Sequence, residues 1–515
     1  MTEDGVSAAQ STKRCVAIVP HTHWDREWYS PFQTFRLRLV DLLDDLLPRL
    51  EADPSFAHFM LDGQMAVVDD YLAVRPEAEP VLRRLAASGR LSVGPWYALP
   101  DEFLVSGETL IRNLQLGLSR AAAYGGGMEV GYLPDTFGHV AQMPQLLRHF
   151  GFEHAVVWRG VPGAIDRTGF WWSAPDGSTV RAEYLPEGYG NGAAVPDDAK
   201  QLVAAVAAFT DEHGEVLTGP ILWMNGTDHL EPQPWLGRVV AEANEVQDDY
   251  RLEIMSLRSY LSSTPTDGLP SWTGELRSGS RANLLMGVAS NRVDVKQAAA
   301  RTDRALERLA EPLSALFLPA ERWPAALLDA AWLEVVRNSA HDSICACSHD
   351  EVGLAVLHRF AEARAIADGL AERAVAAVGA AVGALPRTAV VVNPSARPRS
   401  GLVQLRLPGD GPIPDGTQLV AERSAEFVVG EFASAESAAT VVHAMQSWRT
   451  IGEVTVESGT VDGRVRVRAS RQPARWVLAH VADVPGFGWR ALVDGPPPVP
   501  PAPVMAGDDG RTLTN

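Results

Sequence analysis

The sequence predicts an α/β fold with a parallel sheet, followed by a helical region and then a β-rich one. Three observations predict it. Apolar, β-branched runs alternate with helical periodicity from residue 15 to about 260, as repeated βαβ units do. Between about 285 and 385 glycine becomes scarce, and alanine, leucine and arginine recur at helical spacing. From about 388 short alternating strands take over, the pattern of a β-sandwich. The expected layout is an α/β domain over 1–275, a three-helix bundle over 285–385 and a β-rich domain over 388–495. A linker and the beginning of a further β-domain follow over 496–515.

The elements follow in order. Cys15-Val16-Ala17-Ile18-Val19 reads as a strand buried on both faces. Val40, Leu43, Leu47 and Leu50 then fall at helical spacing. FAHFMLDG is a candidate strand, VVDDYLAV a helix and RLSVGPWY a strand. GMEVGYLPD and HAVVWRG read as strands with the helix QMPQLLRHFG between them, and ILWMNGTDH is another strand with a polar end. In the second region RVDVKQAAARTDRALERLAEPLSALF reads as one long helix. AALLDAAWLEVVRNSA is the next, and the run from Asp350 to Val382 is the third. TAVVVNP, LVQLRLP, QLVAERS, EFVVGEF and RVRVRAS are short strands. GPPPVPPAP, residues 495–503, reads as an extended linker, and the final GRTLTN as the beginning of a strand.

Composition narrows the function. The chain has 515 residues, 46% hydrophobic and 21% charged, an ordinary globular balance. A net charge of -19 argues against nucleic acid or an anionic membrane as partner, since both select clustered positive charge. The polar start MTEDGVSAAQSTKR is unlike a signal peptide, and no run approaches the ~20 apolar residues of a membrane span. Cys15, Cys345 and Cys347 are too few for a disulfide framework. Together these features imply a cytoplasmic protein.

The chemistry concentrates in four polar stretches: PHTHWDREWY (20–29), GYLPDTFGH (131–139), WMNGTDH (223–229) and NSAHDSICAC (338–347). The first three follow strands, where α/β folds place their sites. His23 and Asp25, two apart, point to one side of extended backbone. A single aspartate after a strand is ordinarily a turn former or helix cap, and a single histidine in a helix is ordinarily packed. Taken together, two imidazoles and two carboxylates suit a divalent cation, and Asp228 is left over as a proton donor. Carboxylates with aromatic platforms suit glycoside cleavage.

In that order the four motifs resemble glycoside hydrolase family 38, the retaining α-mannosidases, and the resemblance covers about residues 14–385. LDGQMAVVDDYLAVRPE and GPWYALPDEFLVSGE also resemble bacterial members. The resemblance implies a seven-stranded parallel β/α catalytic domain, a three-helix bundle and β-rich domains. It implies metal ligands at His23, Asp25, Asp135 and His341, with Asp135 also the nucleophile and Asp228 the acid/base. Trp28 would stack on the sugar, and Arg159 and Asp342 would contact the nucleophile region or the sugar hydroxyls. The cofactor implied is one divalent ion, zinc foremost, with cobalt, manganese and calcium also compatible with mixed ligands.

The activity implied is hydrolysis of terminal α-D-mannosides by double displacement. Two alternatives stand beside it: a mannosylglycerate hydrolase, as the DREWY variant suggests, and a shortened relative that binds metal without turnover. Family members are much longer, so the sequence reads as a member cut short. They are often oligomeric, so a homo-oligomer is compatible with the resemblance.

Overall fold

A computed structural model describes residues 13–381, 389–446, 454–458, 464–492, 505–507 and 511–514. The chain divides into two compact units. One comprises Met1–Glu307 with Ala325–Ala367, the other Arg308–Pro324 with Asp368–Asn515.

The first unit is built on ten short strands among the described residues: β1 (Arg14–Pro20), β2 (Phe59–Met60), β3 (Leu91–Ser92), β4 (Gly131–Leu133), β5 (His154–Val157), β6 (Gly169–Ser173), β7 (Thr179–Tyr184), β8 (Ile221–Asn225), β9 (Tyr250–Ile254) and β10 (Ser271–Thr273). They pair as β8-β1-β9, β10-β6-β7-β5-β4 and β2-β3. A single bridge, His21↔Met60, joins β1 to the β2-β3 pair. This differs from one seven-stranded all-parallel sheet. Most pairings are parallel, but β6 and β7 form an antiparallel hairpin, Gly169↔Glu183 to Ser173↔Thr179. Its turn, Pro175-Asp176-Gly177, is turn chemistry that leaves too little chain for a crossover helix.

β1 lies inside its sheet, and Val16, Ala17, Ile18 and Val19 are fully buried, as its unbroken apolar run requires. The expected helix after it spans Phe32–Ala52 and buries Phe35, Leu39, Leu43, Leu46 and Leu50 along one stripe. FAHFMLDG and RLSVGPWY form strands of only two residues each, Phe59–Met60 and Leu91–Ser92. Helices Gly107–Ala121, Ala199–His213 and Leu236–Glu245 complete the alternation. Ser106 caps the first of them by accepting from the Thr109 amide, and Asp198 caps the second through the Gln201 amide.

The first long helix of the helical region is interrupted. Val293–Ala305 and Glu311–Phe317 are α-helical, and Leu306–Ala310 between them winds as a π-turn. Pro312 explains it: proline has no N–H to donate, and its ring would clash with the carbonyl of Arg308. Helices Ala325–Asn338 and Asp350–Ala381 match their expected ranges within the described residues. Val295, Ala299, Ile344, Val352, Val356 and Phe360 form a buried cluster among these helical segments.

The second unit is dominated by antiparallel strands. Ala474–Val484 lies between Arg399–Pro408 and Gln418–Arg423, and Val465–Ser470 between Glu426–Phe432 and Val454–Ser458. Ala389–Asn393 pairs with Gly488–Leu492. Leu513–Thr514 is a strand, paired with Met505–Ala506. The proline-rich linker at 495–503 lies outside the described residues.

Candidate active site

Parallel pairing carries the first and third polar stretches to one place. The β1–β8 register, Val16↔Ile221 to Pro20↔Asn225, continues past both strand ends. His21 donates its amide to Asn225 O at 2.9 Å and His23 donates to Thr227 O at 3.1 Å. His23 thus lies opposite Asp228 in an isolated parallel bridge. Gly226 is what lets the two loops run so close, since a Cβ there would meet His21 O at 2.0 Å.

Other strands deliver their residues from the same kind of position. Asp135 follows β4 and Arg159 follows β5, each just past a strand end. His341 and Asp342 open the short helix His341–Cys345. That helix is tied to the α/β loops: His341 donates its amide to Leu99 O at 3.1 Å, and Asp101 donates to Ser339 O at 3.0 Å.

The expected ligand residues come together. Ligand atoms of His23, Asp135 and His341 all lie within 4.8 Å of one another, as do those of His23, Asp25 and Asp228, and those of Asp25, His341 and Asp342. His341 Nε2 is 3.4 Å from Asp25 and 3.6 Å from both Asp135 and Asp342. His23 Nε2 is 3.2 Å from Asp25 yet buried without a hydrogen bond. Nitrogen and carboxylate oxygen donors, with one buried imidazole nitrogen unsatisfied, fit a divalent cation.

The electrostatics point the same way. Burial opposes the charge on Asp25, but His23 and His341 outweigh it and hold the carboxyl well below the usual range. Burial and the adjacent Asp25 charge push Asp342 well above it. Burial also raises Asp135, against the pull of His341 and Arg159. His23 is raised despite its burial, by Asp62 and Asp25. The cluster thus gathers more acidic groups than it can ionise unaided, which is the condition a bound cation relieves.

The two remaining carboxylate partners differ. Arg159 donates to Asp135 Oδ1 at 2.6 Å and lies 4.0 Å from the centre of the Trp158 ring. Tyr189 donates its hydroxyl to Asp228 Oδ1 at 2.7 Å, and its ring lies 4.6 Å from that of His23. Trp28 is half-buried, set edge-on to Tyr29. His23, Trp24, Asp25, Gln64, His341 and Asp342 share one pocket.

Sequence reasoning missed three residues here. Tyr189 sits in a loop after β7 with no motif to mark it. Asp62, fully buried, contacts His23 from a turn after β2, and the only signal was Asp-Gly at a strand end. Glu27, within the first motif, is buried against Arg359 and accepts from Ser343 Oγ at 2.7 Å, fastening this loop to the helical segment.

The sequence matches the family model described as "Glycosyl hydrolases family 38 N-terminal domain" over residues 13–275. The chain belongs to glycosyl hydrolase family 38. Among family relatives it is similar to the "Putative mannosylglycerate hydrolase" of Halalkalibacterium halodurans, 35% identical over 376 residues, covering 68% of this chain and 41% of that protein. Human alpha-mannosidase 2C1 is 25% identical over 439 residues, covering 80% of this chain and 41% of the human one. The fold is similar to the crystal structure of an alpha-mannosidase from Enterococcus faecalis, with a TM-score of 0.80 and 28% identity, covering 98% of this chain and 59% of that one. The chain therefore spans about half the length of the relatives it matches. Among the described residues no helix is long and apolar enough to cross a membrane.

Proposed function

We propose that the chain carries the catalytic centre of a metal-dependent retaining α-mannosidase. The observation that supports this best is the meeting of His23, Asp135 and His341 ligand atoms within 4.8 Å, from three segments far apart in sequence. His23, Asp25, Asp135 and His341 would hold the cation, with zinc the best fit to mixed nitrogen and oxygen donors. When bound, the cation would supply positive charge to orient sugar hydroxyls and keep the neighbouring carboxylate ionised.

The chain's own residues then divide the work. Asp135, held at the strand end by Arg159, attacks the anomeric carbon and displaces the leaving oxygen. Asp228, held by Tyr189, protonates that oxygen and next removes a proton from the water that frees the sugar. Two displacements at one carbon give net retention. Trp28 offers an apolar ring face to the sugar's C–H groups, and Asp342 a carboxyl to its hydroxyls. A cytoplasmic address belongs to the same proposal.

A second substrate reading is 2-O-mannosylglycerate, favoured by the similarity to the Halalkalibacterium halodurans protein. Both readings share the chemistry and differ in the leaving group. Turnover of an aryl α-D-mannoside by the purified chain, with and without a chelator, tests the activity. Comparing mannosylglycerate with α-linked mannobiose separates the substrates. A chain that binds zinc but turns over none of the three would leave only the metal-binding reading.

A further inference from the structure

Asp62 has no place in the chemistry described above, yet it is fully buried against the site. It follows β2, whose neighbour across the His21↔Met60 bridge is the end of β1. Its backbone is left-handed, with φ 49°, a conformation that aspartate and asparagine tolerate better than most residues. Both carboxylate oxygens are engaged. Oδ2 accepts from the Trp24 amide at 2.7 Å and from Gln64 Nε2 at 2.8 Å. Oδ1 faces His23 Nδ1 at 3.2 Å, and Oδ2 lies 3.1 Å from the same nitrogen. Gln64 Nε2 also donates to Trp24 O at 2.8 Å, so the carboxylate is fixed by two donors besides the histidine.

The consequence falls on the other face of the imidazole. A carboxylate at Nδ1 accepts the Nδ1 proton and leaves the Nε2 lone pair as the donor. Nε2 is the buried atom without a hydrogen bond, 3.2 Å from Asp25. From this arrangement we propose that Asp62 is the positioning residue of the metal centre, fixing the proton of His23 on Nδ1 so that Nε2 is presented to the cation. The inference rests on the metal-site reading above. Asp62 does not touch the sugar or the cation; it acts through His23 and adds its negative charge behind the ligand.

Asp62→Asn is the informative change, because asparagine keeps the shape and tolerates the left-handed backbone. Its amide oxygen would stay on the Trp24 and Gln64 donors, which turns its NH2 toward His23 Nδ1. A metal-bound His23 carries a proton on Nδ1, so an N–H would face it in place of one of the two carboxylate oxygens. Zinc affinity of the metal-free chain, measured by competition with a chromophoric chelator, is expected to fall about 10- to 100-fold in this variant. The melting temperature of the metal-free protein should change little. In the zinc-loaded parent chain, nitrogen-15 spectra of labelled histidine should show one imidazole, assigned to His23 by its loss in His23→Gln, with a proton on Nδ1 and metal on Nε2.

Unchanged zinc affinity in Asp62→Asn would overturn the proposal and leave the metal site standing. Zinc on Nδ1 of His23 would do the same, and does not depend on how Asp62→Asn folds. A parent chain that binds no zinc would overturn both readings together. Gln64→Ala is the control, since it loosens the clamp without placing a donor against His23. An equal loss of affinity there would mean that Asp62 only holds the loop, contrary to the proposal.

Discussion

Two carboxylates flank the candidate centre, and their surroundings contrast. Asp135 is met by the Arg159 guanidinium at 2.6 Å and by His341 Nε2 at 3.6 Å. Asp228 is met by a neutral phenol, the Tyr189 hydroxyl at 2.7 Å. A carboxylate held by a guanidinium has a cation beside it to offset burial and suits a nucleophile. One held by a neutral hydroxyl has no such cation in its hydrogen bond and suits the acid/base. The difference teaches that roles can be read from partners rather than from position in the chain, and it is open to direct challenge.

The largest effect is expected at Asp135. Asp135→Ala should lower turnover of aryl α-D-mannosides by on the order of 10⁴-fold or more, as loss of a nucleophile does elsewhere. Asp228→Ala should cost ~10²–10⁴-fold on substrates with poor leaving groups and far less on a dinitrophenyl mannoside, which departs without a proton. Steady-state rates on the two leaving groups check this, and equal losses on both would remove Asp228 from the acid role.

The partners should then rank by charge. Arg159→Met removes a charged hydrogen bond worth about 1.5–3 kcal/mol, so kcat/KM should drop about 10- to 100-fold. Tyr189→Phe removes a neutral donor worth about 0.5–1.5 kcal/mol, a drop of about 2- to 10-fold. If the tyrosine variant proved the more damaged of the two, the contrast between the carboxylates would fail.

Much of this arrangement was legible in the sequence, for specific reasons. Val16 to Val19 read as a doubly buried strand because every residue in the run is apolar, and they are fully buried. His23, Asp25, Asp135 and His341 each lie in a dense polar stretch next to an apolar one; the family resemblance picked them out of those stretches, and they do converge. The rest depends on contacts that sequence spacing does not encode. Asp62 matters through a left-handed turn and a neighbour 39 positions away. Tyr189 reaches Asp228 across the same separation, 39 positions, from an unmarked loop. The β6–β7 hairpin was missed although β7, Thr179–Tyr184, alternates polar and apolar; β6 does not, since Trp171 and Trp172 are apolar in succession. The π-turn before Pro312 broke a helix whose apolar periodicity is otherwise sustained.

The most direct test is to trap the reaction halfway. The purified chain, loaded with zinc, is incubated with a fluorinated mannosyl fluoride that forms the glycosyl intermediate faster than water removes it, and the labelled peptide is identified by mass spectrometry. A sugar bound to the Asp135 carboxylate is the predicted result. A label on Asp228 instead, or release of product with inverted anomeric configuration, would contradict the assignment of the two carboxylates.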